Sequence, residues 1–282
     1  MVATSIRSRL AAVAAAAALA AGCESSTSAG TGRLTVLLTD APVAGVKSAT
    51  FHISQVYLIG GSDQSGPRFT ITTTPADYDL LTLQDGITTA LGTATIPAGT
   101  YTQMRFVVDG ATITLDDGLT FSDGTSSKTL KVPSGMQTGI KVTFGSPLQI
   151  TPGQTILLVT EIDVSRNFVL TGPPSAPTGA LFTPVIRATV EDIAGSISGK
   201  VGVPHLPAKV YAIDPSKTPP ADTVTTAVPD VTSGVYKLQF LPPGTYTVLA
   251  VNTTNPPPYV AIGTQTLVKV VAGQDTPNID FP

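Results

Sequence analysis

The sequence predicts an all-β chain made of two antiparallel β-sandwich domains. Three observations carry this. Apolar and polar residues alternate with period 2 in segment after segment, the mark of half-buried strands. Turn formers separate these segments, with 26 Gly and 24 Pro among 282 residues. Beyond residue 24 no stretch carries a helical stripe, and residues 78–91 offer room for one short helix.

The chain begins with an export signal. Arg7 and Arg9 precede an apolar run over residues 10–21 that ends at Gly22-Cys23-Glu24. A basic start, a short apolar core and small residues at its end make residues 1–22 a secretory signal peptide. The run is too short to span a bilayer, which takes roughly 20 apolar residues. Cys23 is the only cysteine, and an unpaired thiol is uncommon in an exported protein. Ala20-Ala21-Gly22-Cys23 resembles the bacterial lipobox, with Leu19 one place upstream of its usual position. The resemblance implies cleavage before Cys23 and attachment of fatty acyl chains such as palmitate there. That makes Cys23 the expected lipidation site; the plainer alternative is a cleaved signal that leaves a spare thiol. In such lipoproteins an Asp after the cysteine favours the inner membrane. Glu24 therefore implies a lipid-anchored outer-membrane address in the cell envelope. Residues 23–31, rich in Ser and Gly, read as a flexible tether.

Cleavage removes 22 of the 282 residues and leaves 260, more than one typical domain. Loss of Arg7 and Arg9 leaves 14 bases against 19 acids, a formal charge of −5. A mildly acidic chain has no electrostatic footprint for nucleic acid. Charged residues make up 12% of the sequence, about half the usual share. Without a cysteine pair, each domain must be held by its core.

The first domain is expected over residues 32–192. Leu34, Val36 and Leu38 alternate with Arg33, Thr35 and Thr39. Phe51 and Ile53 hold one parity and Val56 and Leu58 the other, so a β-bulge is expected near Ser54 and Gln55. Further strands are read at Met104-Phe106-Val108, Leu130-Val132, Ile140-Val142-Phe144 and Ile156-Leu158, and as one long strand over 181–190. Asp116-Asp117-Gly118, Asp123-Gly124 and Pro152-Gly153 read as hairpin-type turns. The second domain, residues 193–282, opens with Ile197, Gly199, Val201 and Val203. It continues through 210–213, Tyr236-Leu238-Phe240, Tyr246-Val248-Ala250 and 267–271, and closes at Ile279 and Phe281. Strands every 10 to 15 residues between Pro/Gly turns suit a small sandwich. One signature occurs in both parts: Ile96-Pro97-Ala98-Gly99-Thr100-Tyr101-Thr102 matches Leu241-Pro242-Pro243-Gly244-Thr245-Tyr246-Thr247. Each reads as a turn feeding a strand whose leading Tyr packs over the end of the sandwich.

Four motifs of the first domain resemble the bacterial domain-of-unknown-function 4382 family. They are Leu34-Thr35-Val36-Leu37-Leu38-Thr39-Asp40-Ala41-Pro42, Tyr78-Asp79-Leu80-Leu81-Thr82-Leu83-Gln84-Asp85-Gly86, Pro97-Ala98-Gly99-Thr100-Tyr101-Thr102-Gln103-Met104-Arg105 and Thr183-Pro184-Val185-Ile186-Arg187-Ala188. The second domain is similar to carboxypeptidase-regulatory-like, transthyretin-like (prealbumin-like) sandwiches, through Gly234-Val235-Tyr236 and Tyr246-Thr247-Val248. Neither resemblance implies an activity. The second implies an accessory module, with a fold also similar to some carbohydrate-binding modules.

Candidate chemistry is sparse. Glu161 and Asp163 share a strand face by their spacing, as do Asp77 and Asp79. Paired carboxylates serve glycoside hydrolysis or calcium binding, but alternation with Ile156, Leu158 and Ile162 favours a solvent-facing pair. Glu occurs only at 24, 161 and 191. Asp109, Asp116, Asp117 and Asp123 are the densest acids and weak candidates for a metal site; Asp-Gly pairs closing hairpins are the favoured reading. His52 and His205 are the only histidines and fall in different domains, against a His-based zinc site or triad. The residues 195–201 fit neither a phosphate loop nor a nucleophile elbow. There is no Trp, so sugar stacking would fall to Tyr57, Tyr211 or Tyr259. No cofactor is expected. The leading expectation is a non-enzymatic binding or scaffolding lipoprotein, with the membrane as partner through its anchor and an envelope protein or glycan as a further partner. A fimbrial subunit assembled by strand exchange and a carbohydrate-associated module are the alternatives.

Overall fold

The computed structural model describes residues 30–282, apart from 42–45, 62–65, 131, 133–137, 145, 165–167, 174–175, 183–184, 220–221 and 256–257. The signal peptide, Cys23 and the tether up to residue 29 lie outside the described residues, as do Pro42, Thr183 and Pro184 of the quoted motifs. The chain is all-β and sandwich-like, with helical turns of no more than four residues among the described elements.

The first unit contains β1 (Thr31–Thr39), β2 (Val46–Gly60), β3 (Arg68–Thr72), β4 (Ala76–Asp79), β5 (Thr89–Pro97), β6 (Gly99–Leu115) and β7 (Ser127–Leu130). It continues with β8 (Ile140–Phe144), β9 (Leu148–Ile150), β10 (Thr155–Ile162), β11 (Phe168–Thr171), β12 (Gly179–Phe182) and β13 (Ile186–Val190). One sheet runs in the order β3-β2-β6-β8-β13-β10-β1-β5, with β4 paired to β2 and with β7 and β9 paired to β6. The sheet rolls until its edges, β3 and β5, lie against each other. Gly92 permits that approach, because a Cβ there would sit 2.9 Å from the Ile71 carbonyl oxygen. Leu34, Val36 and Leu38 point into the enclosed core with Phe51, Phe106 and Leu158.

The parity switch in β2 has the expected cause. Ile53 pairs with Val108 and Gln55 with Val107, leaving Ser54 as the extra residue of a bulge. The bulge lets Phe51, Ile53, Val56 and Leu58 all reach the core. Other expectations need correction. The sheet is mixed, since β1 runs parallel to β10 and β13 parallel to β8. Parallel neighbours need long crossovers, and no local turn announces them. The stretch 181–190 contributes to two strands: among the described strands β12 pairs with β11 alone, and β13 joins the main sheet. The β11–β12 ribbon packs through Phe168 and Phe182, whose rings meet Phe51 edge-on at 5.6 and 5.2 Å. The short helix shrinks to a 3-10 turn over Leu80–Leu83. Asp79 caps it and accepts hydrogen bonds from the Leu81 and Ala49 amides.

A second 3-10 turn, Glu191–Ile193, leads into β14 (Gly195–Lys200), β15 (Ala208–Ile213), β16 (Thr223–Ala227), β17 (Val235–Leu241), β18 (Gly244–Asn252), β19 (Val260–Val270) and β20 (Asp275–Thr276). The sheets β17-β14-β20 and β16-β15-β18-β19 enclose a separate core of Ile197, Val210, Leu238, Leu241 and Val248. Val203, read as a strand position, instead sits exposed in a 3-10 turn over Val203–His205. β16 escapes a period-2 reading because Val224 through Ala227 are all buried.

The repeated signature makes the same device twice. Gly99 opens β6 and Gly244 opens β18. The Tyr101 hydroxyl donates to the Pro97 carbonyl at 2.8 Å, and the Tyr246 hydroxyl donates to the Pro242 carbonyl at 2.7 Å. Both rings are buried. Each is a tyrosine corner, in which a ring fills the end of a sandwich while its hydroxyl ties down the preceding turn.

Candidate functional site

The polar chemistry of the first unit gathers at one end, where β1 and β10 finish, β13 begins and the second unit packs on. Asp40 follows β1 and is buried. Its carboxylate accepts the Val164 amide at 2.9 Å and the Gln84 amide group at 3.4 Å, tying the ends of β1 and β10 to the 3-10 turn. The neighbouring Thr39 hydroxyl lies 2.9 Å from the Leu83 and Ile87 carbonyls. Burial pushes the Asp40 carboxyl well above the ordinary Asp range, and nearby Asp163 and Glu161 add to the rise against the two hydrogen bonds.

Two hydrogen bonds stitch this end to the second unit. Arg187 of β13 donates to the Val224 carbonyl at 2.6 Å, and the Thr225 hydroxyl donates to Glu161 of β10 at 2.7 Å. Glu161 and Arg187 are cross-strand neighbours on β10 and β13, so adjacent side chains of opposite charge reach the same strand, β16. Gly86 completes the fit. Its φ of +82° suits glycine, and a Cβ there would lie 2.4 Å from the Gln239 side-chain oxygen of β17.

A recess of about 340 Å³ opens beside the linking turn, between Glu191, Ser196, Lys237 and Asp275. Of the recesses lined by both units, the larger described holds about 170 Å³ between Glu161, Arg187 and Phe144 on one side and Asp214, Lys217, Phe240 and Tyr246 on the other. That is below the roughly 300–1,000 Å³ of usual ligand pockets. Its charges have partners within the fold: Lys217 pairs with Asp214 at 3.1 Å, and Asp214 also accepts from the Ser216 amide and hydroxyl. The smaller recess holds about 20 Å³ and is lined by Asp40, Asp85, Glu161, Thr225, Thr226 and Lys237.

The residues singled out from the sequence fall as follows. Cys23 lies outside the described residues. Asp109, Asp116, Asp117 and Asp123 are all exposed, and among the described residues no three His, Cys, Asp or Glu side chains converge as a metal site. Asp117 pairs with Lys47 at 2.6 Å. Asp123 accepts from the Thr125 hydroxyl at 2.7 Å and pairs with Lys128 at 3.0 Å. Gly118 and Gly124 have φ of +87° and +81°, which is turn chemistry. The solvent-facing reading of Glu161 and Asp163 is overturned. Asp163 is buried beside Asp40, and Glu161 lies in the seam, where it accepts a hydrogen bond from Thr225 of the second unit. Asp77 does face solvent, paired with His52 at 2.8 Å. His205 is exposed and its carbonyl accepts from Asn252. Of the three tyrosines, Tyr57 is buried with Arg68 over its ring at 4.9 Å, and Tyr211 has Lys209 over its ring at 5.6 Å. Tyr259 is 39% exposed. Sequence reasoning missed Asp40, Gly86 and Arg187 as site residues, although all three stand in quoted motifs.

Among solved structures, the chain is similar to the Bacillus anthracis TIE protein, with 11% identity and a TM-score of 0.21 over 88% of this chain and 33% of that one. It thus spans about a third of that protein's length. It is also similar to GBS52, the minor pilin of Streptococcus agalactiae, with 10% identity and a TM-score of 0.20 over 89% and 94% of the two chains. The shaft pilin SpaA of Lactobacillus rhamnosus GG (D295N mutant) gives 11% identity and a TM-score of 0.21 over 89% and 98%. No curated protein matches the sequence. The family model for a domain of unknown function, DUF4382, matches residues 31–177, which include β1, Asp40, Gly86, the Tyr101 corner and Glu161. The chain belongs to the DUF4382 family.

Proposed function

We propose that this protein is a non-enzymatic binding or scaffolding lipoprotein of the bacterial cell envelope, held at the outer membrane by acyl chains on Cys23. The observation that carries the reading is the seam. Glu161 and Arg187, the charged pair in the larger recess, each make a hydrogen bond that joins the two units. Side chains committed to holding two β units together serve presentation of a surface. The short turn Glu191–Ile193 between β13 and β14 supports the same reading, since it keeps the two units next to each other. The second unit, with two small sheets and its own core, acts in this reading as an accessory module of the carboxypeptidase-regulatory-like type.

Metabolic labelling with a palmitate analogue, followed by membrane fractionation, tests the anchor. Label and membrane association are expected in the wild type and lost in Cys23→Ala. An unlabelled protein, or label that persists in the variant, refutes it. Crosslinking on intact cells tests the scaffold: discrete crosslinks to envelope protein or glycan are expected, and their absence refutes it.

One observation favours a second reading, assembly by strand addition. Among the described strands, β19 is an eleven-residue edge strand that pairs with β18 alone. It carries Leu267 81% exposed at a φ of +58°. A long edge with exposed apolar residues is a template for another strand. Purified protein that stays monomeric at all concentrations counts against it.

A further inference from the structure

The smaller recess places a buried acid where two units meet. Asp40 is 4% exposed and borders a space of about 20 Å³ that is also lined by Thr225, Thr226 and Lys237 of the second unit. The charged and titratable groups around it are unbalanced. From its own unit come Asp85 after the 3-10 turn, Glu161 on β10 and Asp163 just beyond it; Arg187 stands across the ladder from Glu161 on β13. From the second unit comes Lys237 of β17, which lies 3.7 Å from Asp275. The remaining neighbours, Gln84, Thr225, Thr226 and Gln239, are neutral. Among the described residues the buried Thr226 hydroxyl has no hydrogen-bond partner. The space is about large enough for one water, which needs roughly 10–15 Å³.

We propose that the seam is a proton-controlled joint: while Asp40 keeps its proton the two units stay closed on each other, and when it ionises they part. A protonated Asp40 carries no charge and fits beside Asp163 and Glu161. Loss of its proton to water creates a buried anion among carboxylates. The Val164 amide and the Gln84 amide group offset part of the cost of that anion, but with neither water nor a cation beside it desolvation still disfavours it. Water reaches Asp40 most directly through the recess, by separation of β16 and β17 from the ends of β1 and β10. Two interunit hydrogen bonds, Arg187 to Val224 and Thr225 to Glu161, are then lost together. The sense of the pH dependence follows from linkage. The closed state binds the proton more tightly than the open one, so closure is favoured at low pH and weakens as pH rises above the ordinary Asp range.

The test is an interunit distance measured against pH on the mature chain in a Cys23→Ser background. Spin labels on Thr95→Cys and Thr264→Cys report the distance by double electron–electron resonance. A single narrow distribution is expected near about pH 4, broadening and lengthening towards about pH 9 as carboxyl groups of raised pKa ionise. In Asp40→Asn this transition is lost and the distribution stays narrow. A distribution independent of pH in the wild type, or a transition that survives in Asp40→Asn, overturns the proposal. So does narrowing at high pH, which would mean that Lys237 swings onto the anion and tightens the seam. Asp163→Asn keeps the test decisive if Asp40→Asn fails to fold. Removing that neighbouring carboxylate shifts the transition to lower pH, and an unmoved midpoint overturns the joint.

Discussion

Replacing Tyr246 with Phe removes one oxygen and keeps the ring, so it isolates the hydrogen bond of the second tyrosine corner. The hydroxyl donates to the Pro242 carbonyl at 2.7 Å from a side chain that is 5% exposed. Burial also lifts its pKa to about 12, so it remains a donor throughout the working pH range. Pro242 is only partly buried, and water takes over its carbonyl in the variant. The cost is therefore that of one ordinary hydrogen bond, about 1 kcal/mol, and not the larger penalty of an orphaned buried group. Tyr101→Phe, with a 2.8 Å bond to a similarly placed Pro97, costs the same. The two variants separate in melting temperature. For a unit of roughly 90 residues, about 1 kcal/mol shifts Tm by ~4–8 °C, against ~2–4 °C for one of roughly 160 residues. Differential scanning calorimetry should show Tyr246→Phe moving the transition of the second unit and Tyr101→Phe that of the first. Tyr246→Ala, which also empties the ring site, should cost about 3–5 kcal/mol. If Tyr246→Phe is indistinguishable from wild type, the hydroxyl does not hold the turn. If it is as damaging as Tyr246→Ala, ring packing is not the main contribution.

Gly86→Ala should destabilise the seam by more than about 1 kcal/mol, because an L-residue is strained at φ +82° and its Cβ meets Gln239. Adding Gln239→Ala should recover the part due to the clash, and calorimetry of the double variant measures it. Gly199→Ala should cost at least about 2 kcal/mol, since its Cβ would lie 2.1 Å from the Ile279 carbonyl and the C-terminal segment must move. Loss of protection at the residues 275–282 in hydrogen exchange would report it. Thr125 and Lys128 hold the Asp123 carboxyl down at about 2, against 3.8 for an ordinary Asp. Its contribution is present above 3.8 and lost as pH falls towards about 2. Asp123→Asn should flatten the acid limb of a stability–pH curve in that window, and an unchanged limb would refute the assignment.

Local pattern made much of the fold legible. The alternation of Leu34, Val36 and Leu38, the parity switch at Ser54, the Asp-Gly turns and the paired Pro-Gly-Thr-Tyr signatures each report a short-range cause, and each appears where that cause puts it. β16 was not legible, because a strand buried on both faces has no period of 2. The split at 181–190 was hidden for a related reason: an apolar run reads the same whether it stays in one sheet or passes between two. The site was less legible still. Asp40 and Arg187 stand in readable motifs, yet their roles depend on partners, Val164 and Val224, that are distant in sequence.

Class and turn positions followed from the chain itself, because strand parity, glycine conformation and the tyrosine corners act over a few residues. Closure of the first sheet, its parallel neighbours, the burial of Asp40 and Asp163 and the half-burial of Glu161 depended on the assembled molecule. Pairing β1 with β10 and covering their ends with β16 and β17 brings together groups that no local pattern links. The environment of a carboxylate, and hence its charge, is set by what packs over it, and here that is another unit of the same chain.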